Sequence, residues 1–554
     1  MASEHWWQGA VIYQIYPRSY MDTNGDGVGD LPGIIAKLDH AASLGVDAIW
    51  ISPFFRSPMA DFGYDISDYR DVDPLFGTLD DFDRLLAKAH GLGIRVMIDQ
   101  VLSHTSSEHP WFRESRMSRD NPKADWYVWA DPKEDGTPPN NWMSLFGGVA
   151  WRWEPRREQY YLHNFLSSQP DLNFHNPEVR EAVLGNVKFW LDRGVDGLRL
   201  DAINFCFHDP LLRDNPPKPR EKRTGRGFSP DNPYAYQYHW YNNTRPENLP
   251  FLESLRALLD RYPGAVALGE ISSEDSLATM AEYVNGRRLH MGYSFELLTE
   301  DFSSAHIRGT VERLESVMTG GWPCWAISNH DVQRAVTRWG GARPHPGLAR
   351  MLVALVCSLR GSVCLYQGEE LGLPEADVPY EALRDPYGIS FWPNFKGRDG
   401  CRTPMPWTDG PHGGFTTGAP WLPIPEAHLA LNVAVQEADP DSTLHATRRF
   451  LAWRRTQPAL VRGSIRFLDT PEPVLAFVRE HGDQRLFVAF NLSAQPASVA
   501  MPGIAAPAQQ GHGLPAGGLE SGILRLPAYG VYYGNLAPEG ASPPAAAMAG
   551  TCDS

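Results

Sequence analysis

The stretch GLRLDAI (residues 197–203) decides the fold. Its apolar residues fill both pleat positions, as in a strand buried on both faces. It delivers one carboxylate, Asp201, near its end. Two further runs repeat the pattern: AVALGEI (265–271) carries Glu270 and CWAISNHD (324–331) ends at Asp331. Strands that each bring a charged group to their carboxyl end predict a (β/α)8 TIM barrel with its active site on the top face. Three converging carboxyls narrow the chemistry to glycosidic bonds. Two serve as nucleophile and proton donor at an acetal carbon, and the third stabilises a cationic transition state.

Working outward, short apolar strands alternate with amphipathic helices. VIYQIY (11–16), VDAIWISP (46–53) and IRVMIDQVL (94–102) read as the first three strands. Ile34, Ile35, Leu38, Ala41 and Ala42 share one helical face that ends at Gly45, and Thr78 with Asp81 forms a capping box before a second helix. This alternation predicts parallel strands joined by right-handed crossovers. Residues 1–103 are the first part of the barrel. Residues 104–174, rich in Trp, Pro and Asn, break the pattern and read as an inserted small domain after strand three. The barrel resumes over 175–462, with strands at 197–203, 265–271, 290–298, 324–330 and 362–369 and long insertions at 205–250 and 373–430. From 463 to 537 the period becomes two, which predicts a C-terminal antiparallel β-sandwich. Residues 538–554 are low-complexity, and disorder is expected there.

The chain has 554 residues, 42% of them hydrophobic, and a formal net charge of −16. That charge repels phosphate backbones and anionic lipid, so neither nucleic acid nor a membrane is an expected partner. The basic loop PPKPREKRTGRG (216–227) reads as a solvated surface against this background. No long apolar stretch suggests a membrane span or signal peptide. Six scattered cysteines with no CxxC pair read as buried thiols, which makes the cytoplasm the expected location. Eighteen Trp and 21 Tyr suit sugar stacking as well as core packing. Monomer and homodimer both remain open.

The loop DTNGDGVGD (22–30) sets Asp22, Asn24, Asp26 and Asp30 at alternate positions, with the Val28 carbonyl between them. Hard oxygen donors at this spacing suit a structural Ca²⁺ or Mg²⁺; an Asx/Gly turn is the other reading. Position twelve is Gly33 rather than Glu, so this is not an EF-hand loop. Arg199 lies two residues before Asp201 and so shares its face, where it is expected to keep Asp201 ionised. Glu270 follows an apolar run without an adjacent base, so burial is expected to raise its pKa as a proton donor requires. His330 and Asp331 suit gripping sugar hydroxyls.

The blocks DQVLSH (99–104), GLRLDAIN (197–204), LGEI (268–271) and ISNHD (327–331), in this order, resemble the α-amylase family, glycoside hydrolase family 13. The resemblance spans about residues 5–540. QPDLN (169–173), FGYDISDY (62–69) and GRDGCRTPMPW (397–407) resemble its oligo-1,6-glucosidase/α-glucosidase branch. The resemblance implies Asp201 as nucleophile, Glu270 as general acid/base and Asp331 as transition-state stabiliser. It implies that His104, Arg199 and His330 contact the sugar at the cleavage subsite and that Tyr64 stacks on that ring. Asp61 and Arg402 would pair across the pocket and close it around one terminal glucose, with Phe146 and Phe165 as aromatic walls. The 22–30 loop matches a family metal site. Ser103 replaces the Asn that many relatives carry before the histidine, which weakens the case for a second, amylase-type calcium site. Ala202 after the nucleophile, in place of the Val that accompanies α-1,6 specificity in this branch, points to α-1,4 linkages.

The expected enzyme is therefore a retaining, exo-acting α-glucosidase that releases glucose from short α-linked glucosides. A sugar, alcohol or phenol in place of water makes it a transglucosylase, and Tyr234, Tyr236, Tyr238, Trp240 and Tyr241 in the 205–250 insertion either shape the acceptor site or pack the loop. Two alternatives stay open: a glucosyltransferase or isomerase acting on sucrose or maltose, and a catalytically dead scaffold. All three carboxyls are present, which weighs against the second.

Overall fold

The computed structural model of the chain describes residues 5–537 apart from 224–230 and 343. The expectation of disorder over 538–554 and the end of the basic loop lie outside the described residues. Eight parallel strands make one sheet: β1 Val11–Ile15, β2 Ala48–Ile51, β3 Arg95–Val101, β4 Gly197–Asp201, β5 Val266–Ile271, β6 Met291–Ser294, β7 Cys324–Trp325 and β8 Ser362–Tyr366. Their order is β6-β5-β4-β3-β2-β1-β8-β7. A parallel bridge between Gly292 and Pro323 joins β6 to the start of β7 and brings the sheet round to a nearly closed barrel.

All eight sequence runs hold as strands, but their carboxyl ends differ from expectation. The run at 324–330 is strand only through Trp325, and the run at 362–369 only through Tyr366. Asp331 therefore stands on a loop six residues past β7, not at a strand end. Chain that leaves the ladder early is free to bend over the barrel mouth, and it carries Asp331 there.

Local chemistry fixes the flanking helices. Asp30 caps Leu31–Leu44 by accepting from Gly33 N–H, and Gly45 ends it in the left-handed region at φ 77°. Thr78 and Asp81 form the expected reciprocal capping box of Leu79–Gly91. Inside the barrel, Ile12, Trp50, Met97, Leu268, Met291 and Cys324 fill the core, while a second apolar layer packs the strands against the helices. No helix among the described residues is long and apolar enough to cross a membrane.

The region after β3 contains the helix Pro110–Ser115 and a small antiparallel sheet of Trp129–Ala130, Trp151–Glu154 and Gln159–Leu162. At the carboxyl end, a four-stranded antiparallel sheet and a three-stranded one enclose an apolar layer that includes Ala476, Phe487, Leu524 and Leu526. Two of its strands, Ala497–Ala500 and Gly518–Glu520, escape the sequence reading, being short and without apolar alternation.

Candidate active site

β4 and β5 run in register from Gly197 beside Val266 to Leu200 beside Gly269. One further step sets Asp201 beside Glu270 on the same face, across an interstrand spacing of about 4.8 Å. Arg199, fully buried, binds both. Its Nη1 donates to Asp201 Oδ1 at 2.7 Å and its Nη2 lies 2.6 Å from Glu270 Oε1. Nη1 also donates to Asp99 Oδ1 on β3 at 2.8 Å. Glu270 thus has a cation in contact that its own sequence neighbourhood does not show. It also accepts from Tyr293 Oη at 2.9 Å and from Ala202 N–H at 3.1 Å. Ala202 adopts φ 38°, ψ 47°, a left-handed conformation rare for a residue with a Cβ, and this turn aims its N–H at Glu270.

Burial pushes Asp201 and Glu270 up to about 7, against the pull of the Arg199 guanidinium. Arg199 pairs with Asp201 as expected, but the same guanidinium also serves Asp99 and Glu270, so its pull on Asp201 is shared. The two acids stand close enough to titrate as a coupled pair. Asp331 differs. Burial opposes its charge, but the Arg398 and Arg402 guanidiniums outweigh that cost and hold it well below the usual carboxylate range. Arg402 Nη2 donates to Asp331 Oδ1 at 3.0 Å and Arg398 Nη1 to the same oxygen at 3.3 Å.

Behind these acids a hydrogen-bonded chain fixes two rings. Gln14 Nε2 lies 2.8 Å from His330 Nδ1, His330 Nε2 lies 2.6 Å from Tyr64 Oη, and Tyr64 donates to Asp99 Oδ2 at 3.0 Å. Burial pushes His330 down to about 3, so the ring is neutral at pH 7. The partners assign its proton to Nε2. His104, pushed down by burial to about 4, is also neutral, and its Nε2 donates to the Tyr64 carbonyl at 3.0 Å.

The far end of the pocket corrects the sequence reading. Asp61 pairs with Arg398, not Arg402: Arg398 Nη2 donates to Asp61 Oδ1 at 2.7 Å and to Asp385 Oδ1 at 2.8 Å. Arg402 instead donates through Nε to the His330 carbonyl at 2.6 Å. The two arginines stand four residues apart in GRDGCRTPMPW, and nothing in that string tells which one faces Asp61. Asp385 makes the choice by also accepting from the Arg398 backbone N–H at 2.7 Å. The Asp61 loop is stapled by Asp65, which accepts from the N–H groups of Ala60 and Asp61. Gln169 Nε2 completes the group by donating to Asp61 Oδ2 at 3.1 Å.

The resulting cavity measures about 830 Å³ including its open mouth, a size that suits a small glycoside. Asp61, Tyr64, His104, Gln169, Asp201, Glu270, Asp331 and Arg398 contribute its polar lining, and Phe146, Phe165, Phe205 and Phe295 much of its apolar wall. Arg199, His330 and Arg402 stand behind that surface. Asp99, Gln169, Tyr293, Asp385 and Arg398 are absent from the sequence-based set. Asp99 carries a usable signal, a lone acid inside an apolar run; Tyr293 carries none. Among the described residues, none of the five aromatics at 234–241 lines the cavity. Tyr234 stacks on His239, and Tyr238 on Trp240, which is the loop-packing reading.

The 22–30 loop is tightly self-bonded. Asp22 accepts from the N–H groups of Asn24, Gly25 and Gly27 and from Thr416 Oγ1, while Asp30 accepts from Thr23 and Gly33. Among the described residues no three His, Cys, Asp or Glu side chains gather as a metal cluster. The loop's donors are all oxygen, the kind a hard divalent cation takes.

Residues 14–463 match the family described as alpha amylase, catalytic domain, and residues 465–532 the maltogenic amylase C-terminal domain. The chain is 56% identical over 536 residues to a probable alpha-glucosidase of Rhizobium meliloti (strain 1021), covering 96% of this chain and 97% of that one. It is 38% identical to an oligo-1,6-glucosidase of Heyndrickxia coagulans, with 90% and 94% covered. Among solved structures, the alpha-glucosyl transfer enzyme XgtA superposes with a TM-score of 0.95 at 72% identity, with 96% and 99% covered.

Proposed function

The chain belongs to the α-amylase family, glycoside hydrolase family 13, and we propose that it is a retaining, exo-acting α-glucosidase that also transfers α-glucosyl groups to alcohol or phenol acceptors. One observation carries this reading: Asp201 and Glu270 stand side by side on neighbouring strands and share Arg199. Retaining enzymes hold their two carboxyls about 5–5.5 Å apart, and inverting ones leave room for a water between them.

The steps follow from the charges. The terminal glucose enters against Asp61, Arg398, Gln169 and His104, a buried end wall that leaves no room for further sugar. As positive charge develops at the anomeric carbon, the ionised form of Asp201 is favoured, so the proton of the pair resides on Glu270. Glu270 gives it to the leaving oxygen while Asp201 bonds the anomeric carbon. Asp331, held ionised by its arginines, stabilises the cationic transition state. Glu270, now a carboxylate, takes a proton from water or an acceptor hydroxyl as that oxygen attacks the anomeric carbon. The bond to Asp201 breaks, Asp201 leaves as a carboxylate, and the α-configuration is restored.

The small Ala202 side chain on the cavity wall supports α-1,4 over α-1,6 linkages. The similarity to XgtA supports transfer. The oxygen donors of Asp22, Asn24, Asp26, Val28 and Asp30 would hold a Ca²⁺ or Mg²⁺ in a structural role. The five cysteines among the described residues are free and buried, which supports a cytoplasmic location. The test is product analysis on maltose, isomaltose and sucrose, with and without hydroquinone. Faster glucose release from maltose than from isomaltose, with α-glucosyl-hydroquinone formed when the phenol is present, is expected. Isomaltose as the better substrate removes the linkage reading, absence of the phenolic glucoside removes transfer, and isomerised sucrose favours the isomerase alternative.

A further inference from the structure

Tyr293 lies on β6, where it faces the barrel interior and takes no part in the steps above. Its hydroxyl donates to Glu270 Oε1 at 2.9 Å and lies 3.0 Å from Arg199 Nη2 and 3.3 Å from Arg199 Nε. A guanidinium only donates. The phenol oxygen must therefore accept from Arg199, and its single proton is left for Glu270. Arg199 Nη2 also contacts Oε1, so this oxygen is held by two donors from behind. The other oxygen, Oε2, has only the Ala202 N–H at 3.1 Å.

We propose that Tyr293 is a positioning residue that sets the proton affinity of Glu270 and confines its acidic proton to Oε2. Oε1, saturated by Tyr293 and Arg199, cannot carry the proton without losing a donor. Oε2 carries it and presents it to the leaving oxygen. The inference rests on the reading of Glu270 as the acid/base.

The groups that act on Glu270 come from every neighbouring element. Arg199 on β4 favours its charge, while Asp201 on β4 and Asp331 beyond β7 disfavour it, and Asp99 on β3 competes for the same guanidinium. Tyr293 itself faces Arg199, Glu270 and the Cys364 thiol. Burial keeps its phenol protonated, so it remains a donor throughout the working range. Among the described residues, the phenol is the one neutral side chain that donates to Glu270. A neutral donor can be removed without changing the charge of the site.

The experiment is the pH dependence of kcat/KM for maltose in wild type, Tyr293→Phe, and protein carrying 3-fluorotyrosine at 293, a stronger donor of nearly the same shape. Removing a hydrogen bond to the ionised form raises the pKa, so the alkaline limb, where Glu270 loses its proton, moves up in Tyr293→Phe by about one pH unit. In the fluorinated protein it moves down. The acid limb stays in place in both. A fall in rate with both limbs unmoved overturns the inference, because a purely structural tyrosine predicts that result. Glu270→Gln, measured on p-nitrophenyl α-glucoside, separates the two levels. Loss of the alkaline limb there supports Glu270 as the acid, and a limb that then fails to move in both Tyr293 proteins overturns this inference alone. Persistence of the limb in Glu270→Gln overturns both.

Discussion

Replacing Arg398 by methionine tests the closed end of the pocket more severely than any change at the catalytic acids. Arg398 is 7% exposed and donates to Asp61, Asp385 and Asp331. Methionine keeps the aliphatic bulk over Phe146 but leaves Asp61 and Asp385, both buried, without a cation. Breaking a buried pair in this way costs about 3–5 kcal/mol, which for a chain of this size lowers Tm by about 3–4 °C. The pH dependence has a definite sign. Although burial opposes its charge, Arg398 holds Asp385 below the ordinary carboxylate value, so wild type gains stability above that value and loses it as pH falls. Without Arg398 both carboxyls rise, and the variant regains stability as they protonate. The Tm gap is therefore widest at pH 7 and narrows toward pH 5. For catalysis, one charge-assisted contact in the glucose grip is lost, about 1.5–3 kcal/mol, or roughly a 10- to 150-fold fall in kcat/KM. Thermal unfolding at pH 7 and 5 and kinetics on p-nitrophenyl α-glucoside read out both effects. A Tm within a degree of wild type at pH 7, with kcat/KM unchanged, refutes the assignment of the end wall.

Two further outcomes are expected. Glu270→Gln lowers kcat/KM for maltose by about 10²–10⁴-fold, and much less for an aryl glucoside whose leaving group needs little protonation; Asp201→Ala abolishes turnover of both, and nitrophenol release at the wild-type rate removes Asp201 as nucleophile. If a cation occupies the 22–30 loop, EDTA lowers Tm by a few degrees, Ca²⁺ or Mg²⁺ restores it, and kcat stays the same; a Tm unmoved by chelator and by added metal leaves the loop an Asx/Gly turn.

The barrel was legible because each strand is buried on both faces, so an apolar run and its period report the fold directly. The acids were legible for a related reason: a lone charge in or beside such a run is too costly to keep without a partner or a role. Asp99 obeys the same logic and shows that the signal reaches further than the motif comparison does. The grip on the far side of the glucose was harder to read. Asp61 and Arg398 come from loops 337 positions apart in sequence, and their pairing is set by Asp385, a third loop residue with no periodicity around it. Tyr293 was invisible because a tyrosine in an apolar strand looks the same whether its hydroxyl serves a catalytic acid or simply fills the core.

The division of labour among the acids follows from an imbalance of charge. Among the described residues, Asp61, Asp99, Asp201, Glu270, Asp331 and Asp385 pair with three guanidiniums, those of Arg199, Arg398 and Arg402. Two of those guanidiniums cluster on the Asp61–Asp331–Asp385 side. That leaves Arg199 to serve Asp99, Asp201 and Glu270 together, and burial pushes both Asp201 and Glu270 up against its attraction. The side with two cations for three carboxyls holds a fixed negative charge at Asp331, and the side with one cation for three carboxyls is where the proposed mechanism needs a mobile proton. In the mechanism we propose, a developing oxocarbenium ion between the two sides meets more negative charge than the neutral glucoside does, and that difference lowers the barrier.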